Sequence, residues 1–301
     1  MANLKEVRER IGSVKNTKQI TSAMKMVSAA KMSRAAQRIT EMRPYAMKLS
    51  EMLTNILSNL EGDGSTVFNV ERPLNKACIV VVTSSRGLAG AFNTNVIKAA
   101  EASIQNELKG FKELEVICIG KKGAEYFRRT YGDNAAVTVN TEYQELLSDL
   151  SFEVTKEVPE KIMNRFKAGV YDRVFVAYAR FRNAAVQFAT SEQFLPVVDD
   201  KKTEDSATAK SKIKADYIFE PSKEALLEQL VPTILQTKFQ SFLLDTNASE
   251  HGARMTAMDK ATENAEELLK ELKISYNKAR QEAITTEILE IVSGAAALEA
   301  S

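Results

Sequence analysis

The 301 residues carry 41 Lys plus Arg against 40 Asp plus Glu, one His, two Cys and no Trp, and 44% of them are hydrophobic. That is enough apolar chain to fold as one large domain or two modest ones without metals or disulfides, and a net charge of +1 argues against a wholesale binder of polyanions. One His and two distant cysteines, Cys78 and Cys118, supply neither a zinc cluster nor a secreted disulfide framework. The longest apolar run, around 77–82, is far short of the roughly 20 residues a membrane span needs, and the opening Met-Ala-Asn-Leu-Lys-Glu has no apolar signal region. The expectation is a soluble protein of a reducing, intracellular compartment.

Residues 3 to about 60 read as one long helix. Apolar residues fall at Leu4, Val7, Ile11 and Val14, then Met24 and Val27, then Leu49, Met52, Leu53, Ile56, Leu57 and Leu60. Steps of three and four mark one helical stripe, with coiled-coil rhythm at its start. Asn3 is placed to cap the helix with Glu6 three residues on, Pro44 should kink or punctuate it, and Gly62-Asp63-Gly64 should end it.

From 76 the character changes. Ala77–Thr83, Leu114–Gly120, Ala135–Asn140 and Asp172–Ala179 are short β-branched runs, and helical patterns lie between them at Asn93–Leu108, Lys121–Arg129 and Tyr143–Ala168. Strands that are apolar almost throughout, alternating with helices, predict a covered, Rossmann-like α/β domain over 76–215. Ala184–Thr190 and Phe194–Val198 read as two further edge strands, and the charged stretch 199–214 as a surface loop. The C-terminal segment 216–301 is helical from Ser222 to about Val292. Its stripe comprises Met255, Met258, Ala261, Ala265, Leu268, Leu269, Leu272, Tyr276, Ala279 and Ala283, and Pro232 should bend or interrupt it.

Helices of this length do not fit a compact globule. About 70 and about 58 helical residues would span roughly 105 Å and 87 Å, against a radius of gyration of about 19 Å for a globule of this size. The two terminal helices are therefore expected to pair as a long antiparallel coiled coil.

Candidate chemistry is sparse. The loop Thr83-Ser84-Ser85-Arg86-Gly87-Leu88-Ala89-Gly90 follows the first strand, where a doubly wound sheet holds phosphate, but it lacks both the G-x-G-x-x-G and the Walker patterns. Cys78 and Cys118 sit in apolar strands as buried thiols, and His251 has no partner His or triad. No cofactor and no metal is expected. Residues 1–43 hold ten Lys/Arg against three acidic residues, and the balance inverts to fifteen acidic against eight basic from Asp216 onward. A protein partner, a solvated face and nucleic acid all fit the basic segment. Without an aromatic residue before Tyr45 there is no stacking platform, so the protein partner is favoured and nucleic acid is not. The end, Ile288 to Ala300, is too apolar for a coiled-coil tip in water, which points to enclosure by another protein.

Arg8-Glu9-Arg10-Ile11 through Asn16-Thr17-Lys18-Gln19-Ile20-Thr21-Ser22-Ala23-Met24-Lys25-Met26-Val27, the central Ser85–Gly90, and the C-terminal Tyr276–Gln281 and Ile284–Ala295 together resemble the gamma-subunit family of rotary ATP synthases, in its bacterial form. The likeness runs end to end. It implies a non-catalytic rotor shaft whose coiled coil sits inside a hexamer of alpha and beta subunits. The α/β domain would rest on the c-subunit ring and bind the epsilon subunit, on the cytoplasmic face of the plasma membrane. By position, the resemblance implies beta-subunit contacts at Met24, Lys25, Lys31, Arg280, Gln281 and Thr285. It implies a bearing tip at Ile288, Leu289, Ile291, Val292 and Leu298, and a foot toward the c ring and epsilon at Tyr217, Phe219 and Glu220. Ala89 stands where many members have Cys, and no inserted cysteine pair suggests thiol regulation. The reading from another class is a nucleotide- or metabolite-binding enzyme that uses its helices as an oligomerisation stalk.

Overall fold

The computed structural model describes residues 4–58, 67–197 and 223–299. The elements run α1 (Leu4–Ser58), β1 (Lys76–Val82), α2 (Phe92–Asn106), β2 (Glu113–Ile119), α3 (Lys121–Tyr131), β3 (Val137–Asn140), α4 (Phe152–Thr155), α5 (Glu157–Lys167), β4 (Arg173–Phe181), β5 (Gln187–Leu195) and α6 (Lys223–Glu299). The expected α/β class with long terminal helices holds. The chain divides into two compact units, residues 1–28 with 254–301, and residues 29–253, so both long helices contribute to each. Among the described residues no helix is long and apolar enough to cross a membrane.

The larger unit is built on a five-stranded sheet of order β3-β2-β1-β4-β5. β1 lies parallel to β2 and β4, β2 parallel to β3, and β5 is an antiparallel edge strand on β4. Strand side chains alternate between the two faces. Ile79, Val81, Val116, Cys118 and Ala177 pack beneath α2 and α3 with Phe92, Val96, Ile104 and Phe127. Cys78, Val80, Val82, Ile117 and Val176 face α5 and α6, meeting Ile162, Phe166, Leu235, Phe239 and Leu243. The buried Asp172 carboxylate accepts the N–H groups of Asn75 and Lys76 at 2.9 and 2.8 Å, which fastens the start of β1 beside β4. In the same unit α1 and α6 pair antiparallel through Ala35, Ile39, Leu244 and Ala248.

Several expectations are corrected. Pro44 and Pro232 interrupt neither helix, since each lies inside a continuous one. A helical Pro costs about 3 kcal/mol. Burial of Ile39 and Leu49 around Pro44, and of Val231, Ile234 and Leu235 around Pro232, offsets that cost. The expected helix over Tyr143–Ala168 is broken into a 3-10 turn (Leu146–Ser148), α4 and α5. Asp149 ends the first piece by accepting the Ser151 N–H at 2.9 Å, and Leu150 packs inward against the core. The two expected edge strands are one, β5, because a half-exposed edge tolerates the polar Ser191-Glu192-Gln193 that look like a gap in sequence. Asn3 and Gly62–Gly64 lie outside the described residues.

Candidate functional site

In the smaller unit, α1 buries or half-buries Leu4, Val7, Ile11, Val14, Lys18, Thr21, Lys25 and Ser28, alternating steps of three and four. The facing positions of α6 are Met258, Thr262, Ala265, Leu269, Leu272, Tyr276 and Ala279. Arg8 donates to the Tyr276 hydroxyl at 2.8 Å, Lys18 pairs with Glu266 at 2.5 Å, Thr262 donates to Thr21 at 2.8 Å, and Lys25 pairs with Asp259 at 2.5 Å. As the α1 number rises the α6 number falls by the same step to within one residue, which fixes an antiparallel two-helix seam. The Lys18 ammonium holds the Glu266 carboxyl below the usual range.

The seam is apolar from Leu4 to Val14 and polar from Lys18 to Ser28. Apolar side chains appear instead on the outside of that polar stretch, with Ile20 60%, Met26 64% and Val27 57% exposed. This corrects the expected stripe. Val27 is not on the buried face, Met24 is only half-buried, and the seam passes through Thr21 and Ser28. The signal is present in the sequence, because Lys18, Thr21, Lys25 and Ser28 continue the 4-7-11-14 spacing with polar residues that an apolar stripe passes over.

Past Ala279 nothing among the described residues covers α6, and residues 280–295 are all exposed. Arg280, Gln281 and Thr285 lie here, with the Thr285 hydroxyl donating to the Gln281 carbonyl at 2.9 Å. Ile284, Ile288, Ile291 and Val292 line one side of this single helix, and Leu289 is exposed as well. The backbone of Leu298 belongs to α6, while its side chain lies outside the described residues. Tyr217, Phe219 and Glu220 also lie outside them. Lys31 is exposed and belongs to the larger unit, and Lys25 is held by Asp259.

The loop after β1 directs its polar groups at the protein itself. Thr83 Oγ1 accepts the Gly123 N–H of α3 at 2.8 Å, so a hydroxyl stands where a doubly wound sheet brings phosphate to a helix N-terminus. The Ser84 N–H donates to Asn93 Oδ1 at 2.9 Å, and the Ser85 hydroxyl donates to the Gln144 carbonyl at 3.1 Å. Leu88 is held at φ 64°, an uncommon conformation for a side chain of its bulk, and is 64% exposed. Gly120 is required, since at φ 93° an added Cβ would stand 2.0 Å from the Thr83 carbonyl oxygen.

A cleft of about 330 Å³ is lined by Ile117, Tyr143, Val158, Ile162, Arg165 and Tyr171 among others. Its rim charges neutralise one another, with Arg165 on Glu115 at 2.7 Å and Lys161 on Glu142 at 3.1 Å. The Tyr171 hydroxyl donates to Glu115 at 2.7 Å. Burial pushes the Cys78 thiol far up, and that of Cys118 up to about 12, which keeps both protonated.

Comparison with known proteins covers the whole molecule. The profile of the ATP synthase family matches residues 3–298. The ATP synthase gamma chain of Cytophaga hutchinsonii is 53% identical over 301 residues, 99% of each chain. That of Flavobacterium psychrophilum is 48% identical over 299 residues, 99% of this chain and 100% of the other. Among solved structures, a chain of the Euglena gracilis mitochondrial ATP synthase (OSCP/F1/c-ring, rotational state 3) superposes with a TM-score of 0.64 at 24% identity, covering 99% of this chain and 95% of that one. A chain of the rotor of the same synthase gives 0.60 at 22%, covering 93% and 98%.

Proposed function

Since the chain belongs to the ATP synthase gamma-chain family, we propose that it is the central rotor shaft of the complex and works without an active site of its own. The central-stalk role follows from that membership, and the enzyme alternative is not favoured. In this reading a hexamer of alpha and beta subunits encloses the coiled coil, and the α/β domain stands on the c-subunit ring beside epsilon. The assembly is peripheral to the cytoplasmic face of the plasma membrane. Rotation presents a different face of the shaft to each beta subunit. Unequal contact energies then make the nucleotide sites unequal, so proton (or sodium) flux and ATP turnover are coupled.

The observation that carries this reading is the single-stranded end of α6. Residues 280–295 have no partner among the described residues, and they carry an exposed apolar row that water alone would leave unburied. A surrounding protein bearing answers both facts, with Ile288, Leu289, Ile291, Val292 and Leu298 as its tip. The outward Ile20, Met26 and Val27 support a second partner surface around Met24 and Lys25, with Lys31 beyond it. Arg280, Gln281 and Thr285 supply exposed polar groups for a beta-subunit loop. Tyr217, Phe219 and Glu220 are assigned to the c ring and epsilon on the resemblance alone.

The test is ATP hydrolysis by matched alpha and beta subunits with and without this chain, with gel filtration for co-elution. The expected result is co-elution and a marked rise in turnover, with none from the chain alone. No association and no stimulation would overturn the proposal. Met24→Lys and Arg280→Ala should lower ATP-driven proton pumping more than they lower thermal stability. Unchanged pumping in both would remove those two residues from the contact set.

A further inference from the structure

We propose that Thr246 and Ser249 are positioning residues that lock α6 to the end of β4, so that this stretch of helix and the sheet turn as one body. The inference rests on the shaft reading, because a shaft needs its helix fixed in both rotation and height on the domain that drives it.

The lock occupies a gap in the sheet. β1 pairs with β4 only as far as Val81↔Ala177, and beyond Val82 the chain turns toward β2, with the Thr83 N–H on the Ile119 carbonyl at 2.8 Å. β4 continues to Phe181, paired on its other side with β5 at Ala179↔Ala189. Ala179 is therefore buried beyond the end of β1, with one edge of its backbone lacking a strand. α6 completes that edge. The Ala179 N–H donates to Thr246 Oγ1 at 3.3 Å, and the Ser249 hydroxyl donates to the Ala179 carbonyl at 3.1 Å. Both hydroxyl residues are 0% exposed, and their spacing of three puts them on one face of the helix.

The surroundings bring the helix in close. Ala248 is fully buried between them in sequence. A Cβ on Gly252 would stand 3.2 Å from the Ala184 carbonyl oxygen and 3.2 Å from Gln187 Nε2. Apolar packing is non-directional and lets one ridge be exchanged for the next. Two hydrogen bonds from one helical turn to both backbone polar groups of a single residue do not, because rotation or sliding would strand a buried N–H and a buried C=O.

The experiment uses the complete synthase in inverted membrane vesicles. The T246V/S249A double variant should hydrolyse ATP at the wild-type rate while acidification per ATP falls about twofold or more. Thr246→Ser, which keeps the hydroxyl, should restore wild-type pumping. Hydrogen exchange should show the Ala179 amide opening about tenfold faster in Thr246→Val than in wild type or Thr246→Ser. A wild-type pumping ratio in the assembled double variant, or unchanged protection of Ala179, overturns the proposal. If the double variant does not assemble, the single variants T246V and S249A carry the same test, and wild-type ratios in both overturn it. Wild-type vesicles that fail to pump, with Ala179 still protected through Thr246, would sink the shaft reading and leave the lock standing.

Discussion

Asp245 gives a direct test of how α6 is packed. It lies half-buried on the helix, with Oδ1 enclosed and without a hydrogen-bond partner. Burial pushes its carboxyl from 3.8 up to about 6; Arg43 and Arg180 oppose the rise and Glu192 adds to it. Glu192 itself accepts the Tyr178 hydroxyl at 2.5 Å. Between 3.8 and about 6 the folded chain holds a proton that the unfolded chain has released. The stability is therefore fully present below the unfolded value and is lost as pH rises through the folded one. At about 1.4 kcal/mol per pH unit the gap amounts to about 3 kcal/mol, and solvent screening at a half-buried site reduces it to about 1–2 kcal/mol. Asp245→Asn keeps the shape and removes the charge. It should raise the urea unfolding free energy, followed by circular dichroism, by about 1–2 kcal/mol at pH 8 and by much less at pH 4. A gain of equal size at both pH values, or a loss at pH 8, would refute the account.

Other expectations follow from the packing. Phe239, 0% exposed and 5.9 Å from the Phe194 ring, should cost about 3–5 kcal/mol when cut to Ala, read as a lower urea midpoint. Gly120→Ala forces a side chain against backbone at 2.0 Å and φ 93°, so folded yield should collapse; a wild-type melting temperature would contradict the geometry. Both cysteines should resist an aromatic disulfide reagent at pH 8 and react only in denaturant. Replacing the seam pair Thr21 and Thr262 together with Leu removes two polar partners at once. The melting temperature should hold or rise, because no buried group is left unpaired; a fall of several degrees would show that the pair is needed.

Much of the fold is legible in the residues. The β-branched runs at 77–83, 114–120 and 172–179 became β1, β2 and β4 with small shifts at their ends, and the three-four spacing gave both long helices. Misreadings fell where local pattern competes with context. Pro44 and Pro232 are breakers by propensity, yet packing along the helices on both sides holds the axis together. The 143–168 stretch is helical by composition, but the Asp149–Ser151 hydrogen bond and the inward turn of Leu150 break it. Of the candidate contact residues, the C-terminal row was readable as apolar residues at a helix end that should be wet.

The sequence by itself determined the periodic features: the class of the domain, the two long helices and the unguarded apolar end, because hydrophobic spacing is a one-dimensional signal. Tertiary structure alone decided which groups meet across long separations. It set Lys25 against Asp259, put Thr83 at the N-terminus of α3, and placed two α6 hydroxyls on the open edge of Ala179. Those partners stand 234, 40, 67 and 70 residues apart in the chain. No local propensity carries information over such distances. They are chosen when helices and sheet pack and most buried donors and acceptors find a mate.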